Sequence, residues 1–305
     1  MNTQKNRGIH WTDGEGNERV ISRDAWRADI LPRVLAGHWH DADLLFLDVV
    51  IGTEDGFREE MLPFAARLLS LEGESERAIA CNAFLQANTG KVKDALSALG
   101  SYLTAHPPSL RILYTLAQAQ EISGDRDALR RTLSQGLLLD PNEPAFLDWW
   151  YQFHKETLNE TQAEKALFEM AEVRGSWLAE IWLSRALLED RKIAEVLSIY
   201  NRLLNTAGNE SLALQEISGH LGETGYFQEA LDLMYPLYEP DHHGPLTGLN
   251  LLQACVDAGA IELGRKLVER MLQQEWPHLR AVLAKFRDDF YRSPDDLLSA
   301  RYISN

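Results

Sequence analysis

The chain has 305 residues, enough for two globular domains or one extended repeat array. Apolar residues make up 45% and charged residues 25%, which excludes disorder as the main state because there is ample surface to bury. The net charge of −16 repels nucleic acid, and no basic patch compensates locally.

The amino terminus, residues 1–8, is polar and leads into no apolar stretch, so no secretory signal is expected. The most apolar run, Leu44 to Ile51, is short and carries Asp48. A membrane helix needs about 20 apolar residues, so no membrane insertion is expected. Residues 9–21 hold two short strand-like runs around Asp13-Gly14 and Gly16-Asn17, the pattern of a β-hairpin. Ser22 is an N-cap for an amphipathic helix that begins at Asp24. Two more helices are predicted at Asp41 to Val50 and Glu54 to Leu71. Residues 1–75 are thus expected to form a hairpin and helices that cap the rest of the chain.

From residue 76 the chain becomes periodic. One interval separates Gly90 from Gly124, Pro107 from Pro141, and Gly225 from Gly259. It corresponds to a repeat of about 34 residues. Ala230 and Gly264 hold a small-residue slot five positions after the last two glycines, and Val196 precedes Ala230 by the same interval. Each period reads as a helix, a turn, a second helix and a stop. Glycine at the turn permits left-handed dihedrals, and proline cannot continue the second helix. Ala83, Ala95, Ala117 and Gly264 allow helices to approach closely. A helix pair of this kind has an apolar face too wide to bury alone, so it must stack on its neighbours.

This layout resembles the tetratricopeptide repeat family. In the second period Leu113, Leu116, Ala117 and Gln120 fill the helix A slots, and Leu129, Leu133, Gly136 and Pro141 those of helix B. Gln86 and Gln120 replace the usual aromatic residue, Leu129 replaces alanine, and the period from Pro144 to Ser176 lacks both the turn glycine and the final proline. The resemblance covers residues 76–280 in about six repeats. It implies an all-α, right-handed α-α superhelix preceded by the β-hairpin and capping helices. Residues 281–305 are expected to supply a C-terminal capping helix, ending near Tyr291, and a polar tail.

In the family, helix A lines the concave face, and its second, fifth, sixth and ninth positions meet the ligand. Carried onto this sequence, the resemblance implies a peptide-binding face. It is made of Arg111, Tyr114 and Gln118, then Asp148, Trp149 and Gln152, then Trp182 and Arg185, then Gln215 and Glu216, then Asn250 and Gln253. Amide side chains match both the donors and the acceptors of an extended peptide backbone, and aromatic rings hold an apolar anchor. Asn250 falls where clamp-type members place an asparagine for a peptide carboxylate, although the clamp's flanking lysines are absent. In the triplet Trp149-Trp150-Tyr151, consecutive helical positions point in different directions, so Trp150, like Trp177, is expected in the core.

Nothing in the sequence calls for a cofactor. His38-Trp-His-Asp41 and Asp241-His-His243 lack the spacing that stacks two imidazoles on one helix face, so no metal site is expected. They read better as helix caps and a turn. Cys81 and Cys255, far apart in apolar helical contexts, read as small buried hydrophobes rather than a disulfide or zinc ligands. His220 and Glu223 lie one turn apart, without any GxSxG, phosphate-loop or kinase motif beside them. The expectation is therefore a non-enzymatic cytoplasmic scaffold or adaptor that binds a protein or peptide. The charge balance favours a neutral to basic partner. The alternative reading is a regulatory sensor holding a short signal peptide or small molecule in the groove.

Overall fold

The computed structural model describes residues 9–12, 18–207 and 210–291. Strands β1 (Ile9–Thr12) and β2 (Glu18–Ile21) pair antiparallel, Ile9 opposite Ile21 and Thr12 opposite Glu18. The turn predicted between them, at 13–17, lies outside the described residues, as does the polar tail at 292–305. Ser22 accepts a hydrogen bond from the Ala25 N–H at 3.1 Å and opens α1 (Arg23–Ala25). One π turn (Trp26–Ile30) then leads into α2 (Leu31–His38). Trp26 stacks on Phe57 with ring centroids 4.3 Å apart, and the Arg23 guanidinium sits 4.1 Å from the same ring.

Two helices come next, α3 (Ala42–Glu54) and α4 (Arg58–Glu72). Asp41 caps α3 by accepting from the N–H groups of Asp43 and Leu44 at 3.0 and 3.1 Å. The break expected between Val50 and Glu54 does not occur there. The helix runs on to Glu54, and Gly56, with a φ of +81°, supplies the left-handed turn after it. Gly56 precedes Gly90 by the interval that separates Gly90 from Gly124, so this pair has the layout of those after it. Leu45, Val49, Phe57, Met61, Phe64 and Ala65 form its core, and Leu85 from the next pair joins them.

The chain then continues as α5 (Glu76–Asn88) and α6 (Val92–Ala105), followed by α7 (Leu110–Ser123) and α8 (Arg126–Leu139). Ser75 and Ser109 cap the first helix of each pair, accepting from Ala78 and Ile112 N–H groups at 3.2 and 3.3 Å. Such caps satisfy donors that the first helical turn leaves unpaired. Ile79, Ala80, Ala83, Ala87, Ala95 and Leu99 form one core with Ile112 and Ala119 of the following pair. In these pairs the stack thus grows by the next helix A burying its face in the previous hairpin. Next comes α9 (Pro144–Thr157), inside which the chain divides into two compact units, 1–150 and 151–305.

In the second unit α10 (Glu160–Ala171) is capped by Asn159, which accepts from the Gln162 N–H at 3.0 Å. Asn159 so provides the boundary at the repeat that has no turn glycine. The remaining helices are α11 (Leu178–Glu189), α12 (Ile193–Ala207), α13 (Ser211–Glu223), α14 (Phe227–Met234), α15 (Pro240–His243), α16 (Pro245–Ala258) and α17 (Ile261–Leu272). A 3-10 turn (Pro277–Leu279) precedes α18 (Arg280–Tyr291). Trp177 is buried at 4% exposure, whereas Trp150 is half-buried. A Cβ on Gly264 would lie 2.4 Å from the Phe290 ring, so the absence of a side chain there seats α18 on α17.

Between α11 and α12 the slot one repeat length before Gly225 holds Arg191, at φ +59°. Side chains rarely tolerate that region, at a cost of about 1–2 kcal/mol. Replacing Arg191 with glycine is expected to raise stability by about 0.5–1 kcal/mol, after allowing for glycine's greater unfolded-state freedom. Gly225→Ala, at the same slot with φ +84°, should lower it by about 1 kcal/mol. Urea unfolding of the two variants checks both signs; equal midpoints would mean that the turn relaxes.

Candidate recognition face

The twelve side chains predicted for the binding face all escape the core. Arg111, Tyr114, Asp148, Gln152, Arg185 and Gln253 are exposed, and Gln118, Trp149, Trp182, Gln215, Glu216 and Asn250 are half-buried. Their position follows from helical geometry. The neighbours one residue away, such as Ile112, Leu113, Ile181, Ile217 and Leu251, are fully buried and turn the opposite arc of each helix outward.

In the first unit Tyr114, from α7, meets two rings of α9 edge-on, Phe146 at 5.8 Å and Trp149 at 5.6 Å. Two edge-to-face contacts hold its ring in place while one side stays open to solvent. Arg111 lies 3.7 Å from Glu76 and shares an open cleft with Glu72, Ser75 and Arg77. Arg77 binds Glu72 and also Asp43. The Arg77 hydrogen bond, with help from Ser75, holds the Glu72 carboxyl below the usual carboxylate range, although burial opposes it. The cleft therefore offers mixed charge that is already internally matched.

In the second unit two pairs of the predicted residues bond to one another. Trp182 Nε1 donates to Glu216 at 3.1 Å, from α11 to the equivalent position in α13. Asn250 of α16 donates its amide N–H to Ser218 Oγ at 3.0 Å and to the Gln215 carbonyl at 3.4 Å. Arg185 donates to Glu223 at 2.8 Å, and Gln253 to Asp257 at 3.0 Å. These contacts spend donors. What the patch keeps are acceptors, the Asn250 carbonyl and the Glu216 carboxylate, beside the half-buried Trp182.

Behind the patch sits a polar layer that sequence reasoning missed. Ser184 and Ser218 occupy the small-residue slot that Ala83 and Ala117 fill earlier, and all four are buried. Ser184 Oγ lies 3.0 Å from the hydroxyl of Tyr200, a fully buried residue of α12. That hydroxyl lies 3.4 Å from His220 Nδ1, and His220 Nε2 lies 3.9 Å from Glu216. Burial pushes the His220 imidazole down to about 4, helped by the nearby Arg185 charge and opposed by Glu223. Burial likewise raises the Tyr200 hydroxyl to about 12. Both rings are therefore neutral near pH 7 and act as hydrogen-bonding spacers. The available signal was the pair of serines one repeat length apart, since a hydroxyl in a close-approach slot needs a partner.

The two histidine clusters have local tasks. His38 Nδ1 lies 2.8 Å from Asp48, Arg67 bonds His40, and Asp41 caps α3. His243 Nδ1 accepts from the Glu239 N–H at 2.8 Å, closing the turn before α16. Among the described residues, Glu239, Asp241 and His242 are one exposed trio whose ligand atoms lie within 4.8 Å of one another. Cys81 is half-buried and Cys255 buried, and desolvation raises their thiols to about 11 and about 12. Such thiols are poor nucleophiles. No helix among the described residues is long and apolar enough to cross a membrane.

No protein-family model matches the sequence, and no curated protein does. The solved structures that match include a tetratricopeptide repeat protein from Parabacteroides merdae, 13% identical with a TM-score of 0.37, covering 82% of this chain and 99% of that one. Another is YrrB, a TPR protein with an unusual peptide-binding site, 13% identical with a TM-score of 0.31, covering 78% of this chain and 96% of that one. Both are of the family that the sequence motifs resemble. The repeat assignment itself stands on the chain's own hairpins, their constant spacing and their turn glycines.

Proposed function

We propose that this chain is a non-enzymatic interaction scaffold of the cytoplasm, which holds an extended segment of a neutral to basic partner against its A helices. One observation carries the reading: Trp182, Glu216 and Asn250 recur one repeat length apart on α11, α13 and α16, outside the core and preorganised by bonds between successive hairpins. A repeated, outward and rigid set of acceptors with an aromatic surface suits peptide N–H groups and a cationic or apolar anchor. Because the Asn250 N–H is engaged with Ser218 and Gln215, its carbonyl serves the partner. That favours backbone N–H recognition over capture of a terminal carboxylate.

The test compares native-lysate capture by the wild type and by Trp182→Ala/Asn250→Ala, with the fold of both checked by circular dichroism. A protein retained by the first and lost by the second, then reproduced with purified components, is the expected result. If the same proteins bind both, the A-helix face is not the recognition surface. If a small molecule or short peptide alone saturates the wild type and competes with every captured protein, the sensor reading replaces the scaffold.

A further inference from the structure

The stacking register shows a second surface, independent of the A-helix patch. Leu44, Leu47 and Ile51 of α3 are 38%, 51% and 47% exposed, and their spacing puts them on one stripe of the helix. Their equivalents one repeat further on are Ala78, Cys81 and Leu85, and in the repeat after that Ile112, Thr115 and Ala119. In those later pairs the positions are used for stacking. Cys81 and Leu85 pack into the core of the α3–α4 pair, and Ile112 and Ala119 into that of the α5–α6 pair. The α3 stripe is the same stacking face in the earliest such hairpin among the described residues, where it remains partly exposed to solvent.

Charge says what kind of helix fits there. Residues 41–55 contain Asp41, Asp43, Asp48, Glu54 and Asp55 and no lysine or arginine. On a helical projection Asp43 and Glu54 flank the stripe on one side, with Asp48, Asp55 and the capping Asp41 on the other. Asp41, Asp43 and Glu54 are exposed; Arg77 pairs with Asp43 at 2.6 Å and His38 with Asp48. We propose that α3 docks an amphipathic helix of a partner protein, whose apolar stripe covers Leu44, Leu47 and Ile51 while flanking lysines or arginines face the acidic rim. Such a helix would take the place that a preceding hairpin occupies elsewhere in the stack. A second copy of this chain would set one acidic rim against another, which like-charge repulsion disfavours.

The probe is a labelled synthetic helix about 15 residues long, long enough to hold helical structure when bound, with leucines at i, i+3 and i+7 flanked by lysines. It is titrated into the full chain by fluorescence anisotropy, beside a counterpart with glutamates for the lysines. Leu47→Ser/Ile51→Ser, two exposed positions whose change should leave the melting curve intact, is expected to weaken binding at least about tenfold. Asp43→Asn/Glu54→Gln should weaken it less and flatten its salt dependence. Trp182→Ala/Asn250→Ala should leave it unchanged, so failure of this proposal and failure of the scaffold reading are separable. Equal affinity for the wild type and Leu47→Ser/Ile51→Ser, no binding of the lysine helix, or equal binding of the glutamate helix would overturn it. So would a wild-type dimer, seen by sedimentation, that Leu47→Ser/Ile51→Ser converts to monomer, because a second copy would then be the occupant.

Discussion

Gly136→Val is expected to destabilise the first unit by about 3 kcal/mol, the upper part of the usual range for overpacking. A Cβ at Gly136 would stand 2.2, 2.3 and 2.8 Å from three atoms of the Phe146 ring. Phe146 cannot step aside cheaply, since it is 1% exposed and touches Tyr114 edge-on. Helix propensity alone favours replacing a mid-helix glycine, by up to about 1 kcal/mol for alanine, so the net loss reports the collision. Urea unfolding followed at α7–α9, by hydrogen exchange of those amides, gives the size. Adding Phe146→Ala should recover part of the loss, giving a non-additive cycle. Additive effects would show that the two residues do not touch.

The second large effect is a pH dependence. His220 has a folded pKa of about 4 against an ordinary 6.5, so between these values the unfolded chain binds the extra proton. Its contribution to stability is complete above pH 6.5 and is lost as pH falls through the folded value. The full difference is about 3 kcal/mol, reached below pH 4. The groups facing it are Tyr200 from α12, Arg185 from α11, and Glu216 and Glu223 from its own helix. Carboxylates elsewhere also titrate in this range. The diagnostic quantity is therefore the difference between the wild type and His220→Gln, with the second unit followed at pH 7 and pH 4.5. The wild type should lose more stability than the variant over that interval. Parallel losses would place a charged imidazole in contact with water.

Much of the fold could be read because its periodic residues are conformational. Gly90, Gly124, Gly225 and Gly259 all sit at positive φ, and each marks a turn that needs it. The two helices of the α3–α4 pair were legible but not their membership of the repeat series, although Gly56 keeps the same spacing. Its small-residue slot holds Met61, whose thioether fits against Gly52, so bulk moved from one helix to the other and the pattern of residue types broke. Arg191 hid another turn because a charged side chain does not advertise a left-handed backbone. Pro144 opens the repeat that has neither turn glycine nor closing proline, and the cap at Asn159 divides its two helices.

For the candidate face, periodicity was enough to decide which side of each helix looks outward. It could not reveal which of those residues join. The Trp182–Glu216 and Asn250–Ser218 bonds each connect successive hairpins, and each depends on side-chain reach and helix spacing. Tyr200 belongs to a B helix, and nothing about it in isolation suggests a hydroxyl pointing towards a histidine of the next hairpin.

The joints of the second unit differ in chemistry. Helices α11 and α13 are linked by an exposed ion pair, Arg185–Glu223, besides the Trp182–Glu216 hydrogen bond, whereas α13 and α16 are linked by neutral hydrogen bonds from Asn250. Dissolved salt screens the exposed ion pair and scarcely touches bonds between uncharged groups. Ionic strength therefore acts unevenly along the stack: it slackens the α11–α13 joint and leaves the α13–α16 joint taut.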